Sequence, residues 1–137
     1  MKYLFVDTAG WIAAADGADP AYPEVCRARD QWLQNEGMLM TTDYVLDETL
    51  TTLRMRLGLK SAQLWWQQID GSRRLRIEWM NVARTEAARR IFFKQRDKQY
   101  SFTDCTSFAV MQEIKVRSVL TLDQHFQQAG FIVVPSQ

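Results

Sequence analysis

A chain of 137 residues, 47% hydrophobic and 24% charged, has the size and balance of one folded domain, expected to span residues 1–137, and argues against intrinsic disorder. Its 17 Lys and Arg against 16 Asp and Glu leave a net charge of +1, so no global positive field marks a nucleic-acid binder and any such surface has to be local. Two cysteines, Cys26 and Cys105, and one histidine, His125, are too few for a disulfide scaffold or a two-histidine zinc motif. The apolar run after Met1 is too short for a signal peptide or a membrane span, which points to the cytoplasm.

Tyr3-Leu4-Phe5-Val6 is rich in aromatic and β-branched residues, is closed by Asp7, and reads as a strand buried on both faces. Ala18 to Glu36 holds Asp19-Pro20 as a start signal and predicts a helix from about residue 22, with Val25, Trp32 and Leu33 inward. Met38 to Thr41 predicts a second strand. Asp43 then suits the cap of a helix in which Leu46, Leu50, Leu53 and Leu57 recur at helical spacing before Gly58 stops it. Leu59 to Ile69 is a further helix carrying Leu64, Trp65 and Ile69. Arg74 to Met80 alternates, with Leu75, Ile77 and Trp79 on one side, as a half-exposed edge strand does. Ala83 to Arg96 is expected to be helical on Ala87, Ala88, Ile91 and Phe92, and Thr103 to Lys115 on Phe108, Met111 and Ile114. Ser118 to Thr121 and Phe131 to Val134 complete the strands. Helical crossovers between short strands imply an α/β fold around a mainly parallel sheet of four or five strands, covered on both faces.

Ligands of a parallel sheet bind at the edge where strands end and the following helices begin. Asp7 ends the first strand, Glu48 lies in the opening turns of the helix after the second, Asp104 starts the helix before the fourth, and Asp123 lies just beyond the fourth. The topology therefore brings all four carboxylates to one rim. Two carboxylates roughly 5 Å apart at an effective dielectric near 20 repel by about 3 kcal/mol, so a cluster of them needs protonation, a basic side chain or a divalent cation. All-oxygen ligation favours Mg²⁺ or Mn²⁺ over Zn²⁺. Thr8, Thr103 and Thr121 add hydroxyls at the same rim, and such a site suits phosphodiester hydrolysis. Each acid also has an ordinary use: Ser101-Phe102-Thr103-Asp104 resembles a capping box, Asp43, Asp47 and Glu48 suit a helix amino end, and Asp123 suits a cap. Only Asp7, at the end of a buried strand, has little expected local use.

Val6-Asp7-Thr8 with Trp11-Ile12, Asp47-Glu48-Thr49-Leu50 with Thr52, Ser101 to Cys105 with Ser107-Phe108-Ala109, and Leu120 to Asp123 with His125-Phe126 together resemble the PIN-domain nucleases. Within them the chain looks like the VapC-type toxins of toxin–antitoxin pairs, in the family's order from Tyr3 to about Pro135. The resemblance implies a three-layer α/β/α fold and an Mg²⁺- or Mn²⁺-dependent endoribonuclease. Asp7, Glu48, Asp104 and Asp123 would be the metal-binding and catalytic acids, and Thr103 a hydroxyl close to the metal. It also implies a homodimer neutralised by a small antitoxin. A non-catalytic RNA- or protein-binding module of the same fold is the alternative. An aspartyl phosphatase would need an acid where Ala9 stands, and no Gly-Lys-Ser/Thr phosphate loop exists.

An RNA substrate calls for cations outside the metal site. Between residues 84 and 98, Arg84, Arg89, Arg90, Lys94, Arg96 and Lys98 oppose only Glu86 and Asp97, which makes this stretch the expected substrate-binding flank, with Arg73, Arg74 and Arg76 as a second candidate. Trp32, Trp65 and Trp79 fall on apolar stripes and read as core, while Trp11 and Trp66 stay open for stacking on bases. The helices at 44 to 57 and 59 to 69 offer an apolar face for a dimer or an antitoxin.

Overall fold

The structure, a computed structural model, describes residues 2–136. Five strands, β1 (Tyr3–Val6), β2 (Met38–Thr42), β3 (Leu75–Glu78), β4 (Ser118–Leu120) and β5 (Ile132–Val134), form one sheet in the order β3-β2-β1-β4-β5 with every pair parallel. Among the described residues seven helices connect them: α1 (Thr8–Ala15), α2 (Tyr22–Gln34), α3 (Asp43–Leu57), α4 (Leu59–Asp70), α5 (Val82–Lys94), α6 (Phe102–Ile114) and α7 (Gln124–Gln128). β1 is central, and Leu4, Phe5 and Val6 are fully buried because helices cover both faces. Trp11 of α1 and Trp65 and Ile69 of α4 pack with Leu39 over one face. Over the other, Phe108 of α6 meets Phe126 of α7 edge-on at 5.0 Å and stacks on Phe131 at 5.5 Å. No helix among the described residues is long and apolar enough to cross a membrane.

From β1 the chain proceeds toward β2 and β3, and from β4 it proceeds the opposite way to β5. The carboxyl ends of β1 and β4, paired Val6 to Leu120, are therefore the point where the winding reverses, and a crevice opens there. Gly10 sets its depth. A Cβ on Gly10 would lie 2.2 Å from the Leu120 carbonyl oxygen, so only glycine lets α1 pack this closely on β4. Gly58, at φ +99, takes the backbone from α3 into α4, the stop expected from the leucine spacing.

Several expectations change. α1 is a helix that the sequence reading did not assign, because Ala9 to Ala15 is apolar all round and shows no helical period. Thr42, not Asp43, caps α3 by accepting the Val45 N–H; Asp43 instead accepts the Met80 N–H and ties the exit of β3 to α3. β3 ends at Glu78, so Trp79 leaves the alternation and is 63% exposed rather than core. Leu64 is half exposed and Trp32 only partly buried, whereas Trp11 is buried with its indole N–H donating to Thr41. The two tryptophans differ because α1 packs between α2 and α3 with Trp11 edge-on to Trp65 of α4 at 5.6 Å, while Trp32 lies in the last turn of α2.

Candidate active site

Asp7 follows β1 directly and caps α1. Its Oδ1 accepts the Gly10 N–H at 2.8 Å and its Oδ2 accepts the Thr121 hydroxyl at 2.7 Å. The acid thus has a local use after all, but a cap alone does not require the burial found here, at 5% exposure. Thr121, the residue after β4, also accepts the Asp123 N–H at 2.9 Å, so one hydroxyl fixes both Asp7 and the turn carrying Asp123. Burial pushes the Asp7 carboxyl up to about 7; the Gly10 N–H and the Thr121 hydroxyl oppose the shift, and the charges of Asp123 and Asp104 add to it.

Asp104 stands in a capping box with Ser101: its N–H donates to Ser101 Oγ at 3.0 Å and its Oδ2 accepts the Ser101 N–H at 3.2 Å. The same Oδ2 lies 3.0 Å from His125 Nδ1. Burial holds this carboxyl above its ordinary value, against hydrogen bonds from His125 and the Ser101 N–H, while Asp123 pushes it further up. Asp123 caps α7 through the His125 N–H at 2.9 Å, and its Oδ1 is 3.3 Å from His125 Nδ1. Ligand atoms of Asp104, Asp123 and His125 all lie within 4.8 Å of one another. The imidazole ring rests edge-on against Tyr100 at 5.4 Å.

A cleft of about 420 Å³ collects Asp7, Glu48, Thr103, Asp104 and Asp123 on its walls. Glu48 enters from the second turn of α3 and is exposed, unlike the other acids. Thr8 and Ser107 line the cleft with buried hydroxyls that have no hydrogen-bond partner among the described residues, and such groups call for water or another ligand. The sequence-selected cations Arg89, Arg90, Lys94, Arg96 and Lys98 do not line it. They occupy α5 and the segment after it, where Arg89 pairs with Glu86 and Lys98 with Asp97. Arg84 is withdrawn from any substrate role, since its side chain is held between Glu78 at 3.1 Å and Glu113 at 2.8 Å.

Sequence reasoning missed Arg56 and the place of His125, and Asp19, expected only to start a helix, also lines the cleft. Arg56 is the single basic residue on the cleft walls, and it forms no ion pair among the described residues. It stands eight residues after Glu48 with Thr52 between, all lining the cleft from one face of α3, so counting at fours from Glu48 would have found it. A single histidine excludes a two-histidine zinc motif but says nothing of where His125 sits; its closeness to Asp104 depends on the packing of α6 against α7.

A family model described as PIN domain matches residues 4–132. The chain is 32% identical over 131 residues to the 23S rRNA-specific endonuclease VapC20 of Mycobacterium tuberculosis, covering 96% of this chain and 97% of that protein. It is 24% identical over 124 residues to Ribonuclease VapC26 of the same organism, covering 90% and 89%. The crystal structure of Mycobacterium tuberculosis VapC20, described as a sarcin-ricin loop cleaving toxin, superposes with a TM-score of 0.85 at 31% identity over 94% of this chain and 96% of that one. VapBC2 from Rickettsia felis bound to a promoter DNA fragment shares the fold, with a TM-score of 0.73 at 14% identity over 97% of each chain.

Proposed function

The chain belongs to the PIN domain family, and on that premise we propose that it is a metal-dependent endoribonuclease, the toxin of a toxin–antitoxin pair, which hydrolyses RNA phosphodiester bonds. One observation carries this reading: Asp7, Glu48, Asp104 and Asp123, from four separate segments, line a single cleft where the winding of the sheet reverses. The identity to 23S rRNA-specific endonuclease VapC20 supports the activity and makes large ribosomal RNA the first substrate to offer.

The donor set fits a hard divalent cation, Mg²⁺ or Mn²⁺, because carboxylates dominate it and the unpartnered hydroxyls of Thr8 and Ser107 suit the waters that such an ion keeps. Asp7, Asp104 and Asp123 would hold the ion, with Glu48 facing them from α3. When bound, it activates water and offsets charge on the leaving oxygen. The Gly10 N–H and the Thr121 hydroxyl keep Asp7 in one orientation, so little reorganisation accompanies binding. Thr103 contributes a hydroxyl for a phosphate oxygen, and Arg56 a positive charge at the α3 end of the cleft. Arg89, Arg90, Lys94, Arg96 and Lys98 form an outer flank for the RNA backbone. A small antitoxin and a second copy of the chain are the partners that go with this reading, and the cytoplasm is its place of action.

Incubation of the purified protein with ribosomal RNA and Mg²⁺ or Mn²⁺ tests it. Cleavage is expected to stop with chelator and with Asp7→Asn, a variant that keeps the α1 cap because asparagine accepts the same N–H. Cutting that survives both treatments rejects the reading. Metal binding by calorimetry with no cutting of any RNA favours the non-catalytic module instead.

A further inference from the structure

His125 is the one histidine of the chain, and its imidazole faces two of the cleft acids. Nδ1 lies 3.0 Å from Asp104 Oδ2 and 3.3 Å from Asp123 Oδ1, oxygens supplied by the first turn of α6 and by the turn after β4. Asp123 Oδ1 also accepts the His125 backbone N–H at 2.9 Å, so this turn holds the carboxylate and the ring close together. Tyr100 packs edge-on against the imidazole at 5.4 Å and limits how the ring can rotate. One nitrogen and one oxygen from each acid therefore form a group within 4.8 Å.

A ring N–H directed at Asp104 accounts for the shorter contact alone. A cation shared among the three donors accounts for both contacts and for the closeness of two carboxylates that otherwise repel. Neighbouring ligands of an octahedral ion, each about 2.1 Å from it, stand about 3.0 Å apart, close to the spacing from Nδ1 to the two acids. Ser107 is an independent sign of a ligand here: it is 1% exposed, lines the same cleft one turn beyond Asp104, and has no partner for its hydroxyl among the described residues. Resting on the metal-dependent reading above, we propose that His125 Nδ1 is a nitrogen ligand of the cation held by Asp104 and Asp123, and that it makes the site favour Mn²⁺ over Mg²⁺. Mg²⁺ takes oxygen ligands and keeps its waters, whereas an imidazole nitrogen adds affinity for first-row transition ions. The all-oxygen set that the acids imply by themselves becomes a mixed one, and the choice between the two ions follows from it.

Pulsed electron paramagnetic resonance of the full chain, free of any histidine tag and loaded with Mn²⁺, reads the ligand directly. Modulation from a coordinated nitrogen is expected, and histidine carrying the heavy nitrogen isotope should change its pattern, since His125 is the one histidine present. His125→Asn keeps a side-chain donor for Asp104 but removes the imidazole, and it should abolish the modulation. By calorimetry Mn²⁺ should bind more tightly than Mg²⁺, and His125→Asn should weaken Mn²⁺ about tenfold with Mg²⁺ nearly unchanged. Mn²⁺ bound without histidine nitrogen coupling, full Mn²⁺ affinity in His125→Asn, an equal loss for both ions, or no binding of Mn²⁺ overturns the proposal. Should His125→Asn fail to fold, the isotope-labelled wild type decides the question. Cleavage of ribosomal RNA by the wild type is scored separately. Cutting with no nitrogen coupling leaves the nuclease standing without this ligand, and nitrogen coupling with no cutting keeps the ligand and rejects the nuclease.

Discussion

Two places in this molecule bury carboxylates, and they handle the charge in opposite ways. At the outer edge of β3, Glu78 is 8% exposed and is enclosed by Arg76 at 2.5 Å and Arg84 at 3.1 Å. Arg84 in turn reaches Glu113, which it holds below the ordinary carboxylate range, while its own guanidinium is held above its ordinary value by the same hydrogen bond. At the carboxyl ends of β1 and β4, Asp7 is just as buried, but its partners are an amide N–H and a hydroxyl, and the nearest charges are two more carboxylates. Neutral donors orient a buried charge and stabilise it in part, but they do not cancel it. The first site is a finished structural clamp. The second has a charge deficit that the chain itself leaves open, which is the condition a cation-binding site must meet before its cation arrives.

Titration without metal gives the sharpest measure of this contrast. Asp7 has a folded pKa of about 7 against 3.8 for the free group, so between these values the native state holds a proton that the unfolded chain releases. Stability is therefore greatest below the unfolded value and falls as pH rises through about 7. A shift of three units corresponds to a loss on the order of 4 kcal/mol, with Asp104 acting in the same direction. Glu113 acts oppositely, losing stability as pH falls from its free value of 4.5 toward its lowered folded value, which touches only the acid end of this range. Urea midpoints measured from pH 4 to 8 with chelator should decline, and Asp7→Asn should flatten most of the decline. A rising or level curve for the wild type would erase the difference between the two sites.

The clamp should respond to substitution with the opposite sign. Arg84→Met leaves Glu78 buried with Arg76 as its remaining cation, and a cost of about 3 kcal/mol is expected. It should appear as a lower urea midpoint at neutral pH, with the cleavage rate of the folded fraction unchanged because Arg84 does not line the cleft. Asp7→Asn, by comparison, should raise the midpoint in chelator. The smallest effect belongs to Arg56, which is exposed on the wall of the same cleft. Arg56→Ala should cost about 1 kcal/mol of RNA affinity and lower the slope of log affinity against log salt by about one phosphate contact. An unchanged slope would mean that Arg56 screens the acids and does not touch RNA.

Much of the architecture is visible along the chain. The run Tyr3 to Val6 and the leucines of α3 follow from composition and period, and so does the termination at Gly58. The capping box at Ser101 and Asp104 is a local pattern that the fold reproduces bond for bond. α1 escaped notice because it is buried on nearly every side, which erases the amphipathic period that marks a helix. Trp79 failed for the reverse reason: it continues an alternating pattern one step past the last residue that pairs with β2.

The sequence alone determined which residues are acidic, that Asp7 closes the first strand, that α3 stops at Gly58 and that Ser101 and Asp104 open α6, since all of these depend on neighbours within a turn or two. Only the tertiary structure decided that Thr121 would hold Asp7, that His125 would rest on Asp104, that Arg56 would be the cation on the cleft wall, and that the cations of α5 would lie outside it. The reason lies in the order of the strands: the carboxyl ends of β1 and β4 become neighbours although 114 residues separate Asp7 from Thr121, and no local spacing records that contact.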